Sequence, residues 1–341
     1  MDVEFDLLRD YMSSRKQERI GVWTSLPDTV SADARSVAEL LRVIPVPPSE
    51  PPNSPDEWRR QNEGRGVMMA SAAFQAVLNI RSIERRTVSI DGAEHTFFLP
   101  PGFDTERDSR IVLHIHGGGY FVGNAENENQ FAAPIALELG CPVLSIRYPL
   151  WWEASPPADV DRIVAVYRAM LRERSAKSIA LIGVSAGGGL ALRSALELGA
   201  LGEPLPAVLG LATPWTDVSG AGDTFTTLMP YDLLEPSVAT YAAGLLGQNA
   251  NLRSPEYSPI YADFPADFPP TLIATGTRDA LLSDCARLQR KLSDTGVVND
   301  LRVYEGMPHA FMAFRLPETD AYVRDLTQFL RRYLSVGLTS S

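Results

Sequence analysis

The alternation of short apolar runs with segments of helical spacing constrains the fold of this chain more than any other feature. Eight runs are predicted to be strands: Arg86–Ile90, His95–Leu99, Ile111–Ile115, Pro142–Arg147, Ser178–Val184, Ala207–Ala212, Thr271–Thr275 and Asp300–Tyr304. Helices are predicted between the later runs, at Gln130–Leu139, Ala158–Arg172, Gly188–Leu198 and Leu282–Ser293. The first two runs meet at Asp91-Gly92, which is typical of an antiparallel hairpin at a sheet edge. The pattern therefore predicts an α/β fold with a mostly parallel, doubly wound, eight-stranded sheet.

Two segments fall outside this alternation. Residues 1–80 carry helical spacing at Phe5, Leu8, Tyr11 and Met12, and again at Ala34, Val37, Leu40 and Leu41. A proline-rich connector begins at Val43-Ile44-Pro45 and continues to Pro55, and a third helix is predicted from Val67 to Ile80. Residues 218–268 are interpreted as an insertion over the carboxyl edge of the sheet. The sequence thus predicts an N-terminal helical segment (1–80) and a main α/β domain (81–341) with an insertion, and the two extra segments together are candidates for a lid.

Composition excludes several classes of protein. The 341 residues carry a formal net charge of −11, which argues against binding to nucleic acid or to anionic membranes. The acidic N-terminus has no signal-peptide core, and no apolar run reaches the ~18 residues of a membrane span. Cys141 and Cys285 have no metal-ligand spacing. We expect a reduced, cytoplasmic protein without a cofactor or metal; whether it forms a homodimer stays open.

The segment Gly183-Val184-Ser185-Ala186-Gly187 lies between a predicted strand and a predicted helix. A Gly-x-Ser-x-Gly turn in that setting is a nucleophile elbow, in which glycines let the strand and helix approach closely. A loop of small residues is the alternative. Within the elbow interpretation, Ser185 is the candidate nucleophile.

A serine nucleophile needs a base and an acid that orients it. Of the four histidines, only His309 follows Ser185, directly after the last predicted strand. Asp279 follows the strand Thr271–Thr275, where the orienting acid is expected. Asp284 is its rival, but it lies in a predicted helix, where we expect it to face solvent or to complement the helix dipole.

Three glycines offer oxyanion donors. Gly117, Gly118 and Gly119 follow the strand Ile111–Ile115 and leave their backbone N–H groups accessible, and Ala186 supplies the N–H after the nucleophile. His116 precedes the glycines and is expected to shape this loop, not to act as a base.

These motifs resemble the hormone-sensitive-lipase-like branch of the α/β-hydrolases (fold-3), a group of bacterial esterases and lactone hydrolases. The matching motifs are His116-Gly117-Gly118-Gly119-Tyr120, Ser185-Ala186-Gly187-Gly188, Thr213-Pro214-Trp215-Thr216-Asp217, Ser258-Pro259-Ile260-Tyr261-Ala262-Asp263 and the stretch from Asp279 to Asp284. The resemblance implies an α/β-hydrolase fold in which residues 81–341 form the catalytic domain, with residues 1–80 as a helical cap segment and residues 218–268 as a cap insertion. It also implies a catalytic triad of Ser185, Asp279 and His309, and an oxyanion hole at Gly118, Gly119 and Ala186, with Gly117 as a further candidate.

The chain departs from the family pattern at three points. Val184 stands where the family commonly has an acidic or small polar residue, and Ala310 replaces a common glycine after the histidine. The segment Arg147–Glu153, with Trp151 and Trp152, replaces the usual Tyr-Arg-Leu-Ala-Pro-Glu stretch. These changes leave the candidate catalytic groups in place. We therefore expect them to alter the shape of the substrate pocket and not the chemistry.

Aromatic residues near the strand ends predict an apolar substrate pocket: Tyr120, Phe121, Trp151, Trp152, Trp215 and Tyr231. Packing of a lid against the sheet is the alternative role for each. Since no cationic cluster is evident, we expect a neutral, small to medium carboxylic ester or lactone that reacts through an acyl-enzyme. An amidase, a specialised natural-product hydrolase and a non-catalytic ligand-binding homologue are the alternative functions.

Overall fold

An eight-stranded, mostly parallel sheet forms the centre of the protein. The computed structural model describes residues 26–41, 51–104, 106, 108–234 and 237–336. The strands are β1 (Glu84–Ile90), β2 (Ala93–Leu99), β3 (Ile111–Ile115), β4 (Val143–Ile146), β5 (Ile179–Val184), β6 (Val208–Ala212), β7 (Thr271–Gly276) and β8 (Asn299–Tyr304). Their order is β1-β2-β4-β3-β5-β6-β7-β8, with β2 antiparallel to both neighbours and the other pairs parallel. The predicted sheet and its edge hairpin are confirmed.

Helices cover both faces of this sheet. The helices are α1 (Ala32–Leu41), α2 (Pro55–Ala70), α3 (Ala72–Val77), α4 (Asn129–Leu139), α5 (Ala158–Leu171), α6 (Ala186–Ala200), α7 (Asp223–Thr227), α8 (Ser237–Leu246), α9 (Leu282–Asp294) and α10 (Pro317–Tyr333). Along β3, Leu113 joins the core shared with α5, α6 and α9, whereas Val112 joins the core shared with α4 and α10. Because both faces are covered, every residue of the central strands β3, β5 and β6 is buried, and all of them except His114 are apolar.

The helices before the sheet differ from the prediction at their boundaries. The helix expected over Val67 to Ile80 is divided at Ser71, whose backbone is extended (φ −64°, ψ 150°) and separates α2 from α3. Pro55 begins α2 and does not continue the connector. A proline fits this first helical position because it needs no N–H there, and Ser54 caps the helix by accepting from the Glu57 N–H.

Helices α2 and α8 meet above the loop that follows β3. The Trp58 ring of α2 lies 5.2 Å from the Phe121 ring and 5.5 Å from the Tyr241 ring of α8, measured between centroids. The helix predicted around Phe5 and the part of the connector up to residue 50 lie outside the described residues. Among the residues that are described, no helix has the length and apolar character needed to cross a membrane.

Candidate active site

Ser185 occupies the turn between β5 and α6. Its backbone has φ 58° and ψ −124°, a conformation that is strained for any residue with a side chain. The tight approach depends on glycine, since a β-carbon at Gly183 would overlap the carbonyl of Gly187. A β-carbon at Gly187 would overlap the carbonyl oxygen of Ile115 at the end of β3. The predicted elbow geometry is therefore present, and it holds the Ser185 side chain at the carboxyl edge of the sheet.

His309 joins Ser185 to Asp279. Its Nε2 lies 2.8 Å from Ser185 Oγ, and its Nδ1 lies 3.1 Å from Asp279 Oδ1. A carboxylate at Nδ1 favours the tautomer with the proton on that nitrogen, so that Nε2 accepts from the serine hydroxyl. Asp279 is fully buried, and it also accepts hydrogen bonds from the Thr275 hydroxyl at 2.7 Å and the Leu281 N–H at 3.0 Å. These contacts fix the carboxylate in line with the imidazole.

The carboxylates around His309 favour its protonated form. Burial opposes the charge, but the hydrogen bond to Asp279 and the charges of Asp279 and Asp232 outweigh it and raise the pKa of His309. Positive charge on the imidazole is thus stabilised at this site. That is the state a general base reaches after accepting a proton.

Asp232 is a component that the sequence interpretation missed. Its Oδ1 accepts from the main-chain N–H of His309 at 2.6 Å and of Leu233 at 2.7 Å. Its Oδ2 accepts from the N–H of Ala280 at 2.7 Å. Burial, followed by the nearby charge of Asp279, raises the pKa of Asp232 to about 6. No motif pointed to this residue, because an aspartate in an irregular insertion has no pattern to distinguish it from a solvated one.

Asp232, Asp279 and His309 also form a group of potential metal ligands. Ligand atoms of these three buried side chains lie within 4.8 Å of one another. Both oxygens of Asp232 face N–H donors, and Nδ1 of His309 already pairs with Asp279. Since N–H donors and a cation compete for the same lone pairs, this arrangement suits hydrogen bonding better than metal binding.

The glycine loop after β3 lies beside Ser185. Gly118 (φ 115°) and Gly119 (φ 64°) adopt backbone conformations that favour glycine, and Gly117 approaches the Ser185 side chain. Within the described part of the chain, the Gly119 N–H donates to no backbone carbonyl, and Ala186 is the first residue of α6, where an N–H has no acceptor within the helix. Donors without a protein partner beside a serine hydroxyl are what an oxyanion hole requires.

His116 supports this loop as a neutral ring. It stacks on Tyr148 with 4.2 Å between the ring centroids, and its Nδ1 lies 2.8 Å from the Gly117 carbonyl oxygen. Burial lowers the pKa of His116 to about 4, so the ring is uncharged at neutral pH. Its position fits the expected role in shaping the loop.

A cavity of about 280 Å³ contains these groups. It is lined by Ser185, His309 and all three loop glycines, together with apolar side chains from α2, α8 and the loop after β3. A concave, mostly apolar space with a few convergent polar groups is the usual form of a small-molecule site. The cavity thus gives the candidate nucleophile access to a ligand.

Comparison with known proteins identifies the fold family. A family model described as alpha/beta hydrolase fold matches residues 112–313. The chain belongs to the α/β-hydrolase family. An esterase from Acinetobacter venetianus is 29% identical over 227 residues, which cover 65% of this chain and 74% of the relative. The solved structure of esterase E25 matches with a TM-score of 0.79 and 30% identity, covering 93% of this chain and 98% of the other.

A second solved structure defines the branch of the family. An esterase from the bacterial hormone-sensitive lipase family is 31% identical, with a TM-score of 0.72 and coverage of 84% of this chain and 94% of the other. Together with the esterases above, it makes this α/β hydrolase a carboxylic ester hydrolase of the hormone-sensitive-lipase-like group.

In this α/β hydrolase, three of the aromatic residues predicted to contact substrate lie in the interior. Tyr120, Trp151 and Trp215 are 0%, 4% and 0% exposed, and the cavity lining does not include them. Tyr120 stacks on Trp151 at 4.1 Å, and Trp151 Nε1 donates to Asp159 Oδ2 at 2.8 Å. Because these side chains are buried against one another and not against the cavity, we assign them a packing role. The prediction of substrate contact is corrected for these three residues.

The other three aromatic residues have different surroundings. Phe121 lines the cavity. Trp152 donates from Nε1 to the carbonyl oxygen of Phe121 at 2.8 Å, which makes it a support for that residue. Tyr231 is 43% exposed and lies outside the cavity lining. Of the six aromatic residues predicted to contact substrate, Phe121 is the one that occurs among the described lining residues of the cavity.

The departures from the family pattern also have defined positions. Val184 and Ala310 both line the cavity, and Ala310 adopts φ 55°, a conformation that explains why glycine is common there. Of the two roles expected for Asp284, the exposed one is wrong, but the residue does lie in the first turn of α9. It is 2% exposed and accepts from the N–H groups of Thr216 and Asp217 at 3.2 and 3.0 Å, so it anchors the loop after β6.

Proposed function

We propose that Ser185, His309 and Asp279 form the catalytic triad of this ester hydrolase and that the reaction proceeds through an acyl-enzyme. The observation that carries the proposal is the continuous hydrogen-bonded chain from Ser185 Oγ through His309 to Asp279, which opens into the cavity. A nucleophile, a base and an orienting acid within hydrogen-bond reach are what acyl transfer requires.

Acylation begins when Ser185 Oγ attacks the ester carbonyl. His309 Nε2 takes the hydroxyl proton, and Asp279 stabilises the resulting imidazolium. Negative charge develops on the carbonyl oxygen, where the N–H groups of Gly118, Gly119 and Ala186 serve as donors, with Gly117 contributing to the wall. The tetrahedral intermediate then collapses, the C–O bond breaks, and His309 returns the proton to the leaving alcohol.

Deacylation repeats these steps with water. His309 removes a proton from the water, the hydroxide adds to the acyl carbon, and Ser185 leaves with the proton from the imidazolium. The products are a carboxylic acid and an alcohol. A lactone follows the same course, except that its leaving alcohol stays tethered to the acyl group, so hydrolysis yields a single hydroxy acid.

The segments 1–80 and 218–268 would act as the cap over this site. The contacts of Trp58 with Phe121 and Tyr241 support this proposal, because they join α2 and α8 across a residue that lines the cavity. A cap built this way limits the size of the substrate that can reach Ser185. Small to medium acyl esters are therefore the proposed substrates.

A fluorophosphonate probe tests the nucleophile directly. The wild-type enzyme should be labelled and inactivated, and Ser185→Ala should lose both the labelling and the hydrolysis of 4-nitrophenyl butyrate. Ser194→Ala is the matched control, because Ser194 is a buried serine of α6 whose hydroxyl has no partner in the described structure. Equal labelling of Ser185→Ala and wild type would refute the mechanism. A panel of 4-nitrophenyl acyl esters and lactones would then define the substrate range.

A further inference from the structure

One part of the catalytic cavity wall is polar. Arg65 of α2 and Glu128, which immediately precedes α4, both line the cavity that contains Ser185. Glu128 is 6% exposed, and its Oε2 is enclosed without any hydrogen-bond partner. Arg65 is half-buried and forms no ion pair with any carboxylate among the described residues. Both residues therefore line one cavity, and no described residue pairs with the Arg65 guanidinium or with Glu128 Oε2.

An unpartnered buried carboxyl group is costly, so a ligand that supplies its missing partner is bound favourably. Burial raises the pKa of Glu128 to about 8, although the charge of Arg65 opposes this shift. At neutral pH the group is thus a carboxylic acid that can donate its proton in a hydrogen bond.

The charges around Glu128 do not change this conclusion. Among the described residues, the pKa of His116 responds to Arg65 and that of Tyr148 to both Arg65 and Glu128. Both groups are neutral at pH 7, because burial lowers the pKa of His116 and raises that of Tyr148. Glu126, in the same turn as Glu128, is exposed to solvent. The wall accordingly presents a guanidinium and an acid O–H, both donors, with a local positive charge.

We propose that the preferred substrates are esters that carry a second, free carboxylate, which Arg65 and Glu128 bind while Ser185 attacks the ester. A guanidinium matches a carboxylate in geometry and charge, and a carboxylic acid O–H supplies a further charge-assisted hydrogen bond. This inference rests on the proposed reaction at Ser185 and replaces the expectation of a neutral substrate. Arg65 was missed because it lies in the N-terminal segment, far from every catalytic motif in sequence.

Matched ester pairs test the proposal. One pair is the 4-nitrophenyl monoester of glutaric acid and 4-nitrophenyl pentanoate, in which the carboxylate is in the acyl part. The other is the butyrate of 3-hydroxyphenylacetic acid and that of 3-methylphenol, in which it is in the alcohol part. For at least one pair, kcat/KM of wild type should favour the anionic ester, and Arg65→Met should reduce that ratio about tenfold or more.

The pH dependence of the preference for the anionic ester distinguishes the contribution of Glu128 from that of Arg65. In wild type, the preference for the anionic ester should decline above about pH 8, because the ionised Glu128 repels the carboxylate. Glu128→Gln keeps a neutral donor and should retain the preference at pH 9. Glu126→Gln is the control and should behave as wild type, since that exposed side chain does not line the cavity.

Three results would overturn the inference: no anionic preference in either pair, an unchanged ratio in Arg65→Met, or a preference in wild type that persists at pH 9. Hydrolysis of the neutral esters serves as the test of folding in every variant. If the neutral esters still require Ser185 while the anionic preference is absent, the inference fails and the proposed function stands. If hydrolysis is independent of Ser185, the proposed function fails instead.

Discussion

The main-chain N–H of His309 donates a hydrogen bond of 2.6 Å to the carboxylate of Asp232. The same carboxylate accepts the N–H of Ala280, the residue that follows Asp279. One side chain from the insertion thus holds the loop of the candidate base and the loop of the candidate acid. It also adds a second negative charge near the imidazole, which favours the imidazolium.

Replacement of this carboxylate by an amide tests its electrostatic contribution. Asp232→Asn keeps one acceptor oxygen but removes the charge, so the imidazolium formed during acyl transfer loses stabilisation. We expect kcat for a neutral ester to fall about tenfold, equivalent to about 1.4 kcal/mol in the barrier. We also expect the acidic limb of the pH–rate profile to move to lower pH, because the pKa of His309 decreases.

Asp284→Asn is the control for this experiment. Asp284 is also buried, with a pKa raised to about 7 by burial and by Asp217, but its hydrogen bonds go to the loop after β6. Its replacement should leave the acidic limb where it is. A limb that shifts equally in both variants, or in neither, would assign Asp232 a structural role alone.

The wild-type pH profile has a predictable sign. With His309 as the proposed base, its protonated form cannot accept the serine proton, so we expect activity above the pKa of His309 and its loss as the pH falls through that value. Because that pKa is raised, the acidic limb of kcat/KM should lie above about 6.5, the usual value for histidine. The contribution of this group to folding stability has the opposite direction: it is present at low pH and lost as the pH rises through the raised pKa. A limb centred below pH 6 would contradict both statements.

Two glycines provide a matched test of the elbow geometry. A β-carbon at Gly183 overlaps the backbone of Gly187, so Gly183→Ala should reduce the free energy of unfolding by about 3 kcal/mol or prevent folding. Gly244 lies exposed in α8 with open space around it, so Gly244→Ala should stabilise the protein by about 0.5 to 1 kcal/mol. Urea unfolding measures both. Equal effects would show that the close approach at Gly183 is relieved by backbone movement.

Trp151 and Phe121 should differ in what their replacement changes. Trp151→Phe keeps a ring against Tyr120 but removes the hydrogen bond to Asp159, which should cost about 1 to 2 kcal/mol of stability and leave KM unaltered. Phe121→Ala removes part of the cavity wall and should lower kcat/KM for acyl chains that reach it, by roughly tenfold. Denaturant midpoints and steady-state kinetics on both variants distinguish the two roles. A changed KM in Trp151→Phe would show instead that Trp151 contributes to substrate binding.

The sequence predicts the parts of the site that follow from chain order and local pattern. Ser185 is marked by a turn between a strand and a helix, and His309 by its place after the last strand. Nothing local marks Asp232, because its hydrogen bonds depend on how the insertion packs against two distant loops. Trp151 and Trp215 misled the prediction for a related reason. Aromatic residues at strand ends fit a pocket or a core equally well, and only the arrangement of their neighbours decides between these.

Because Asp232 belongs to the insertion, this one segment contributes both to the surroundings of the proposed base and to the wall of the cavity. Exchange of the 218–268 segment with that of a relative would replace the wall contributed by α8, and it would also remove a charge that tunes the base. A chimera designed only to accept a larger ester would therefore change its pH optimum as well.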